Sequence, residues 1–171
     1  MIYLRRMESP LGPITITSTE EAIVGIAFEE ERYAVDRSQA VEQPVAALLD
    51  AERQIQEYFG GWRKEFDLPL APTGTEFQRG VWRELVRIPF GVTISYGELA
   101  RRLKNEKAVR AVGLANGRNP IGLVIPCHRV IGADGSLTGY GGGIWRKEYL
   151  LRHEGAKFNG RNPGLFDSAE A

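Results

Sequence analysis

Length, composition and charge narrow the class of protein. The chain has 171 residues, one cysteine, two histidines and a formal net charge of zero, which excludes an internal disulfide and a zinc site closed by four Cys and His ligands. No apolar run is long enough to cross a bilayer, and the early charges at Arg5 and Arg6 are not typical of a signal peptide. We therefore expect a cytoplasmic protein that needs no metal or other cofactor.

The charge is distributed unevenly along the chain. Residues 1–76 hold 7 Lys+Arg and 14 Asp+Glu, whereas residues 77–171 hold 15 and 8. Such an asymmetry indicates an acidic half and a basic half that meets an anion. Chance segregation of surface charge is the alternative interpretation.

The first half of the chain predicts a small structural unit over residues 1–72. Short β-branched segments at residues 2–7, 13–17 and 22–28, separated by turn residues, predict an antiparallel meander. Apolar residues at helical spacing predict a helix near residues 42–59, which a glycine pair ends. The predicted buried face of this helix consists of Val45, Leu48, Leu49, Ile55, Tyr58 and Phe59. No catalytic residue types gather here, so we expect a structural role.

A linker containing proline and glycine leads into a second, mostly helical unit. We expect this unit to span residues 73–157 and to be followed by a flexible tail over residues 158–171. Thr75 and Gln78 predict a capping box at the start of its first helix. The predicted buried stripe of that helix consists of Phe77, Val81 and Leu85. Together, the two units predict an α+β fold, with an antiparallel sheet and a helix in the smaller N-terminal unit.

Two short helices across a tight turn predict a helix-turn-helix in the second unit. Ser95 and Glu98 predict a capping box for the first helix, over residues 96–103, and the second helix is expected over residues 108–116 with Gly117 as its C-terminal cap. The residues expected to pack the pair together are Leu99, Leu103, Val109 and Val112. The exposed side carries cations suited to phosphate contacts: Arg101, Arg102, Lys104, Lys107, Arg110 and Arg118.

The second helix of this pair has an unusual number of small residues. They are Ala108, Ala111, Gly113 and Ala115. Only Arg110 and Asn116 have the long or amide side chains that read base edges. This composition predicts a helix that approaches DNA closely without reading its sequence. An ordinary helical hairpin with a solvated basic face is the alternative.

The single cysteine follows a continuous apolar run. Residues 121–125 predict a short buried strand with Cys127 at its tip, where a rigid scaffold would hold the sulfur. A thiolate is the reactive form of cysteine, and His128 and Arg129 supply a base and a positive charge that would lower the pKa of the thiol. Because neighbouring residues of an extended chain point to opposite sides, His128 would act through a bridging water unless the chain turns there.

A catalytic histidine at this position would also need a carboxylate to hold its imidazole in one tautomer. Glu154 and Asp134 are both candidates, and the residues by themselves do not choose between them. The competing interpretation is that Cys127 is a small buried side chain without chemistry.

Six segments of the second half resemble the O6-alkylguanine-DNA alkyltransferase family, also called methylated-DNA–protein-cysteine S-methyltransferases. The family hallmark Pro-Cys-His-Arg-Val stands at residues 126–130. Further segments match in order around it, at residues 94–100, 108–113, 119–120, 139–143 and 150–155. The resemblance covers residues 75–155 closely and the N-terminal half by layout only.

The resemblance implies direct-reversal DNA repair. In this family, a methyl or other alkyl group passes from O6-alkylguanine, and from O4-alkylthymine, to the cysteine, here Cys127, in a single irreversible turnover after the damaged base is flipped out of duplex DNA. It implies that His128 takes the thiol proton through a water, that Glu154 orients His128, and that Asn119 braces the turn before the cysteine. The implied guanine pocket consists of Val130, Tyr140, Gly141 and Lys147.

The resemblance also implies how DNA is bound. The second helix lies in the minor groove, Arg110 fills the gap left by the flipped base, and Tyr96 meets the phosphate of the flipped nucleotide and offers a proton to the departing guanine. The implied DNA contacts are Tyr96, Asn105, Ala108, Arg110 and Gly113. No obligate protein partner is implied, and we expect a monomer.

Two departures and three competing functions bear on this interpretation. Gly141 stands where some members have a serine that donates to the alkylated oxygen, and the N-terminal zinc ligands of some members are absent. A lesion binder without chemistry is disfavoured by the presence of Cys127. A sequence-specific transcription factor is disfavoured by the few base-reading side chains, and a turnover cysteine hydrolase would need an oxyanion hole that the sequence does not indicate.

Overall fold

The N-terminal sheet confirms the predicted meander and extends it by one strand. The computed structural model describes residues 1–31 and 35–159. Its first three strands pair antiparallel: β1 (Tyr3–Met7), β2 (Ile14–Ser18) and β3 (Ile23–Phe28). A two-residue strand, β4 (Val41–Glu42), pairs in parallel with β1 and gives the sheet the order β3-β2-β1-β4. This strand was not predicted.

Helix α1 (Ala46–Gly60) begins four residues later than the apolar spacing predicts, because residues 41–42 pair with the sheet. It ends at Gly61, whose φ of 91° is left-handed and whose N–H bonds to the Tyr58 carbonyl at 3.1 Å. Leu48, Ile55 and Tyr58 are fully buried as expected. Leu49 is 42% exposed, so its assignment to the buried face was wrong.

Over residues 73–159, which the structure describes, the second half contains four α-helices and a two-stranded parallel sheet. They are α2 (Glu76–Val86), β5 (Ile94–Ser95), α3 (Tyr96–Arg102), α4 (Val109–Gly117), β6 (Val130–Ile131) and α5 (Ile144–His153). The capping box of α2 is confirmed, since Thr75 and Gln78 each donate a backbone N–H to the other's side chain. Phe77 was wrongly assigned to the core: it is 41% exposed, and the neighbouring Trp82 is buried in its stead.

The helix-turn-helix forms from α3 and α4, with ends that differ from the prediction. The Ser95 hydroxyl accepts the Glu98 N–H at 3.0 Å, but the Glu98 side chain turns to Arg101 and Arg102, so only half of the second capping box forms. A 3₁₀ turn over residues 106–108 precedes α4. Gly117 lies inside the last turn of the helix, and Arg118 caps it, which contradicts the predicted cap.

The packing of these two helices also differs in one residue. Leu99 and Val112 are fully buried and Leu103 is partly buried, but Val109 is 39% exposed and does not join the interface. The indole N–H of Trp82 donates to the Ala115 carbonyl at 2.8 Å and thereby ties α4 to α2.

The predicted strand before the cysteine is a compact turn. Ile121 makes a single parallel bridge to Ile26 of β3, after which the chain turns through Leu123 at a left-handed φ of 71°. Asn119 holds the turn at both ends: its Oδ1 accepts the Ile121 N–H at 3.0 Å and its Nδ2 donates to the Ile125 carbonyl at 2.7 Å. The strand was predicted because an apolar run marks burial without distinguishing a strand from a buried turn.

One hydrophobic core joins both halves of the chain. Side chains of the first sheet, of α1 and of the helices in the second half pack in the same cluster. Strand β3 contacts the second half directly, because Ile26 bridges to Ile121. The segment before Cys127 is therefore fixed directly to the N-terminal sheet.

The end of the described chain returns to the second half. Phe158 packs beside Ile131, and the Asn159 N–H donates to the Gly135 carbonyl at 2.8 Å. Residues 160–171 of the predicted tail lie outside the described residues. Within the part of the chain that the structure describes, no helix is both long and apolar enough to cross a membrane.

Candidate active site around Cys127

Cys127 opens a single 3₁₀ turn, Cys127–Arg129, that leads into β6. The residue is 7% exposed. Burial raises the pKa of its thiol to about 11, and the hydrogen bond from Asn119 and the charge of Lys147 only partly oppose this. The lowered thiol pKa expected from the sequence was therefore wrong for the protein by itself, because desolvation outweighs the neighbouring cation.

His128 lies completely buried beside the cysteine. Its Nε2 is 2.8 Å from Oε2 of Glu154, so the structure pairs it with Glu154 and not with Asp134, whose carboxylate bonds to Ser136 at the surface. A carboxylate only accepts, which assigns the proton to Nε2 and leaves the lone pair on Nδ1. Nδ1 has no hydrogen-bond partner among the described residues. Burial lowers the pKa of His128, so the imidazole is a neutral base with one open nitrogen.

Glu154 accepts hydrogen bonds from four residues. Besides His128, Arg129 donates from Nε to Oε1 at 2.8 Å and from Nη2 to Oε2 at 3.0 Å. The Tyr58 hydroxyl donates to Oε2 at 2.7 Å, and the Gly91 N–H to Oε1 at 3.3 Å. Burial opposes ionisation, but the hydrogen bonds and charges of His128 and Arg129 hold the pKa of Glu154 well below its usual value. The carboxylate therefore stays ionised.

Lys147 of α5 and the tyrosines Tyr96 and Tyr140 lie near enough to the thiol for a charge on Cys127 to raise their pKa values. The Lys147 ammonium donates to the Thr138 carbonyl at 2.8 Å and lies 5.9 Å from the ring centre of Tyr96. Burial lowers the pKa of Lys147 to about 8, and the charge of Cys127 acts against this change. The Tyr140 hydroxyl is buried without a hydrogen-bond partner among the described residues. Burial is the main cause of its raised pKa, and a charge on Cys127 raises that pKa further.

A carboxylate from the N-terminal half also reaches this region. Oε1 of Glu31 accepts the Phe28 N–H at 3.3 Å, and a Cβ at Gly141 would stand 3.8 Å from Oε2. Burial raises the pKa of Glu31 to about 7, with the Arg146 charge opposing, and a charge on Glu31 in turn raises the pKa of Cys127. No local sequence pattern marks Glu31 as a site residue, because it belongs to the half whose sequence indicates a structural role.

The structure separates the predicted catalytic residues from most of the predicted DNA contacts. Asn105 and Arg110 are exposed on the helix-turn-helix, as are all six cations predicted to meet phosphates. Gly113 lies against the ring of Tyr96, because a Cβ there would be 3.7 Å from the ring. Asn116 was wrongly considered a base reader: it is 3% exposed, and its Nδ2 lies 3.5 Å from the Cys127 carbonyl. Val130 is fully buried after the cysteine turn.

Among residues 1–31 and 35–159, no group of three or more His, Cys, Asp or Glu side chains could hold a metal ion.

Two family models match the chain. Residues 76–156 match the DNA binding domain of 6-O-methylguanine DNA methyltransferase, and residues 2–72 match its ribonuclease-like domain.

The chain belongs to the 6-O-methylguanine DNA methyltransferase family.

Relatives of this family match nearly the whole chain. The methylated-DNA–protein-cysteine methyltransferase of Methanosarcina acetivorans is 46% identical over 91% of this chain and 99% of its own length. That of Mycobacterium tuberculosis is 47% identical over 90% and 93%. The crystal structure of Mycobacterium tuberculosis OGT in complex with DNA superposes with a TM-score of 0.85 at 45% identity, over 90% of this chain and 92% of that one. A methyltransferase structure from the archaeon Pyrococcus kodakaraensis is more distant, with a TM-score of 0.54 at 26% identity.

The methyltransferase site contains one contact that sequence reasoning missed entirely. Tyr58 was placed on the buried face of the predicted helix, but nothing in the local pattern indicates that its hydroxyl bonds to a residue 96 positions later. Arg129 was considered as a charge near the thiol, whereas the structure directs its guanidinium to Glu154 and the Ile88 carbonyl. The only available signal was its place beside His128.

Proposed function

We propose that this protein repairs DNA by taking the alkyl group of O6-alkylguanine onto Cys127, once per molecule. One observation carries the proposal: the only thiol of the chain belongs to the residue before a buried histidine, His128. Its Nε2 bonds to Glu154, and its Nδ1 has no hydrogen-bond partner among the described residues. Family membership at more than 40% identity supports the same reaction.

The first step is removal of the thiol proton. It passes from the Cys127 sulfur to Nδ1 of His128, through a bridging water, and the ionised Glu154 stabilises the imidazolium that forms. Since burial raises the thiol pKa to about 11, the thiolate forms only transiently. The Lys147 ammonium then stabilises it through its charge.

The second step is displacement at the alkyl carbon. A sulfur–carbon bond forms as the carbon–O6 bond breaks, and the electron pair passes to O6 and spreads over the purine. The guanine then takes up a proton, which we assign to the hydroxyl of Tyr96. The thioether is stable to the groups that surround it, so the protein is consumed after one reaction.

The helix-turn-helix is proposed to bind duplex DNA from the minor groove. Its exposed cations suit phosphate contacts, and the small residues Ala108 and Gly113 allow close approach of α4. Arg110 is proposed to fill the gap left by the flipped base. The complex of Mycobacterium tuberculosis OGT with DNA supports DNA as the partner. Action on O4-alkylthymine, a monomeric state and a cytoplasmic location stay predictions, as does the division at residue 72.

The decisive experiment is incubation with duplex DNA containing O6-methylguanine, followed by intact-protein mass measurement. The mass should rise by one CH2 unit, localised to Cys127, and repair should stop at one lesion per molecule. Cys127→Ala should bind DNA and transfer nothing. Multiple turnover would indicate a hydrolase, and lesion removal by the alanine variant would refute the assignment of the acceptor.

A further inference from the structure

The N-terminal half makes a direct contact with the hydrogen-bonded residues behind the active cysteine. Tyr58 lies in the last turn of α1 and is fully buried, and its hydroxyl is 2.7 Å from Oε2 of Glu154. The same oxygen is 2.8 Å from Nε2 of His128. Tyr58 and His128 therefore share one acceptor atom, although they come from different halves of the chain.

Tyr58 is itself held rigidly. Its ring lies 4.8 Å from the ring of His153, 5.2 Å from that of Phe59 and 5.5 Å from that of Phe66, measured between ring centres. The imidazole of His153 also lies 2.8 Å from the Tyr58 carbonyl. The end of α1 is thus docked on the end of α5, and Glu154 follows His153 directly.

In the hydrogen bond between Tyr58 and Glu154, the phenol is the donor and the carboxylate is the acceptor. Burial, followed by the nearby charge of Glu154, raises the pKa of Tyr58 far above its usual value, so the phenol stays protonated and donates. Arg129 grips the carboxylate as a fork across both oxygens. A bidentate pair by itself leaves the carboxylate free to rotate about the line between its two oxygens. The Tyr58 hydroxyl restricts that rotation because it bonds to Oε2, the oxygen to which His128 also bonds.

We propose that Tyr58 is a positioning residue for alkyl transfer: its hydroxyl sets the position and charge of Glu154, and Glu154 sets the orientation and basicity of His128. The inference rests on the proposed transfer to Cys127. Through Glu154 and His128, it gives the N-terminal half a part in the reaction, in addition to the structural role that its sequence indicates.

The test compares Tyr58→Phe with Tyr3→Phe. Both substitutions remove one phenolic hydroxyl from a buried tyrosine of the N-terminal half that donates to a glutamate, since Tyr3 bonds to Glu20 at 3.2 Å. Single-turnover rates are measured against the concentration of the free base O6-benzylguanine and of duplex DNA containing O6-methylguanine. The limiting rate of Tyr58→Phe should fall about tenfold on both substrates. This is the lower end of the loss of activity, about 10–100-fold, that follows removal of a group that helps to orient a functional histidine. Half-saturating concentrations should stay unchanged, and Tyr3→Phe should react like the parent protein.

A second readout does not depend on transfer. His128 and His153 are the only two histidines, so their titrations are readily assigned by NMR. In Tyr58→Phe, the pKa of His128 should rise, because Glu154 loses one donor and its charge acts more fully on the imidazole. Tyr3→Phe should leave that pKa unchanged.

The outcomes separate the positioning role from the proposed function. An unchanged limiting rate and an unchanged His128 pKa in Tyr58→Phe would overturn the positioning role. Equal losses in both tyrosine variants would also overturn it, since they would indicate general weakening of the fold. If the parent protein transfers no alkyl group at all, the proposed function fails, while the His128 titration still decides whether Tyr58 acts on Glu154.

Discussion

Removing the Glu154 carboxylate should destabilise the whole protein. The side chains of Glu154 and His128 are fully buried, and that of Arg129 is 7% exposed, so these groups have little access to water. In Glu154→Ala, the guanidinium loses both of its bonds to the carboxylate and keeps the Ile88 carbonyl at 2.6 Å. A buried charge that loses its partner costs about 3–5 kcal/mol. For a protein of this size, that loss corresponds to a fall in Tm of about 6–20 °C.

The assay is equilibrium urea unfolding followed by circular dichroism, with thermal unfolding as a second measure. Glu42→Ala, which removes the partner of Arg6, is the control and should cost about 1 kcal/mol or less, because the two side chains of that ion pair are 63% and 69% exposed. A loss of less than about 1 kcal/mol in the free energy of unfolding of Glu154→Ala would refute the reasoning. It would mean that water or another group solvates the charge of Arg129 in place of the carboxylate.

The pH dependence of the same variant follows from the lowered pKa of Glu154. A carboxyl whose pKa is lower in the folded state than in the unfolded state stabilises the protein at pH values above its ordinary pKa of 4.5. That contribution is lost as the pH falls toward the pKa of the folded state. The difference in stability between the parent protein and Glu154→Ala should therefore be constant near neutral pH and shrink in acid. A difference that does not change between neutral and strongly acidic solution would contradict this assignment.

Three further predictions concern the DNA surface and the N-terminal carboxylate. Arg110→Ala should slow transfer from duplex DNA strongly and leave O6-benzylguanine nearly unaffected, because the free base needs no flipping; equal losses on both would exclude the proposed finger. Affinity for undamaged duplex should fall with salt, with a log–log slope of about −0.9 for each phosphate contacted, and a flat response would exclude a phosphate-based interface. The pKa of Glu31 is raised to about 7, so its contribution to stability is lost as pH rises from the ordinary carboxyl range through 7. Glu31→Gln should thus unfold at a higher temperature than the parent protein at pH 8 and show no such advantage near pH 4, as measured by calorimetry.

The sequence by itself determined the features that depend on neighbours along the chain. The strands of the meander, the capping box of Thr75 and Gln78, and the two helices of the helix-turn-helix all follow from turn residues, caps and apolar spacing within a few positions. These predictions succeed because the energies that decide them are local.

Only the tertiary structure decided what meets across the core. The apolar run at residues 121–125 forms a turn, because Asn119 bonds to both of its ends and β3 offers a single bridge. Phe77 is 41% exposed, whereas Trp82 of the same helix is buried and donates its indole N–H to the Ala115 carbonyl of α4. Glu154 meets Tyr58 and Arg129 because the end of α5 docks on the end of α1. Local patterns indicate which segments are apolar, whereas the burial of each side chain and the partner of a buried polar group depend on which distant elements pack together.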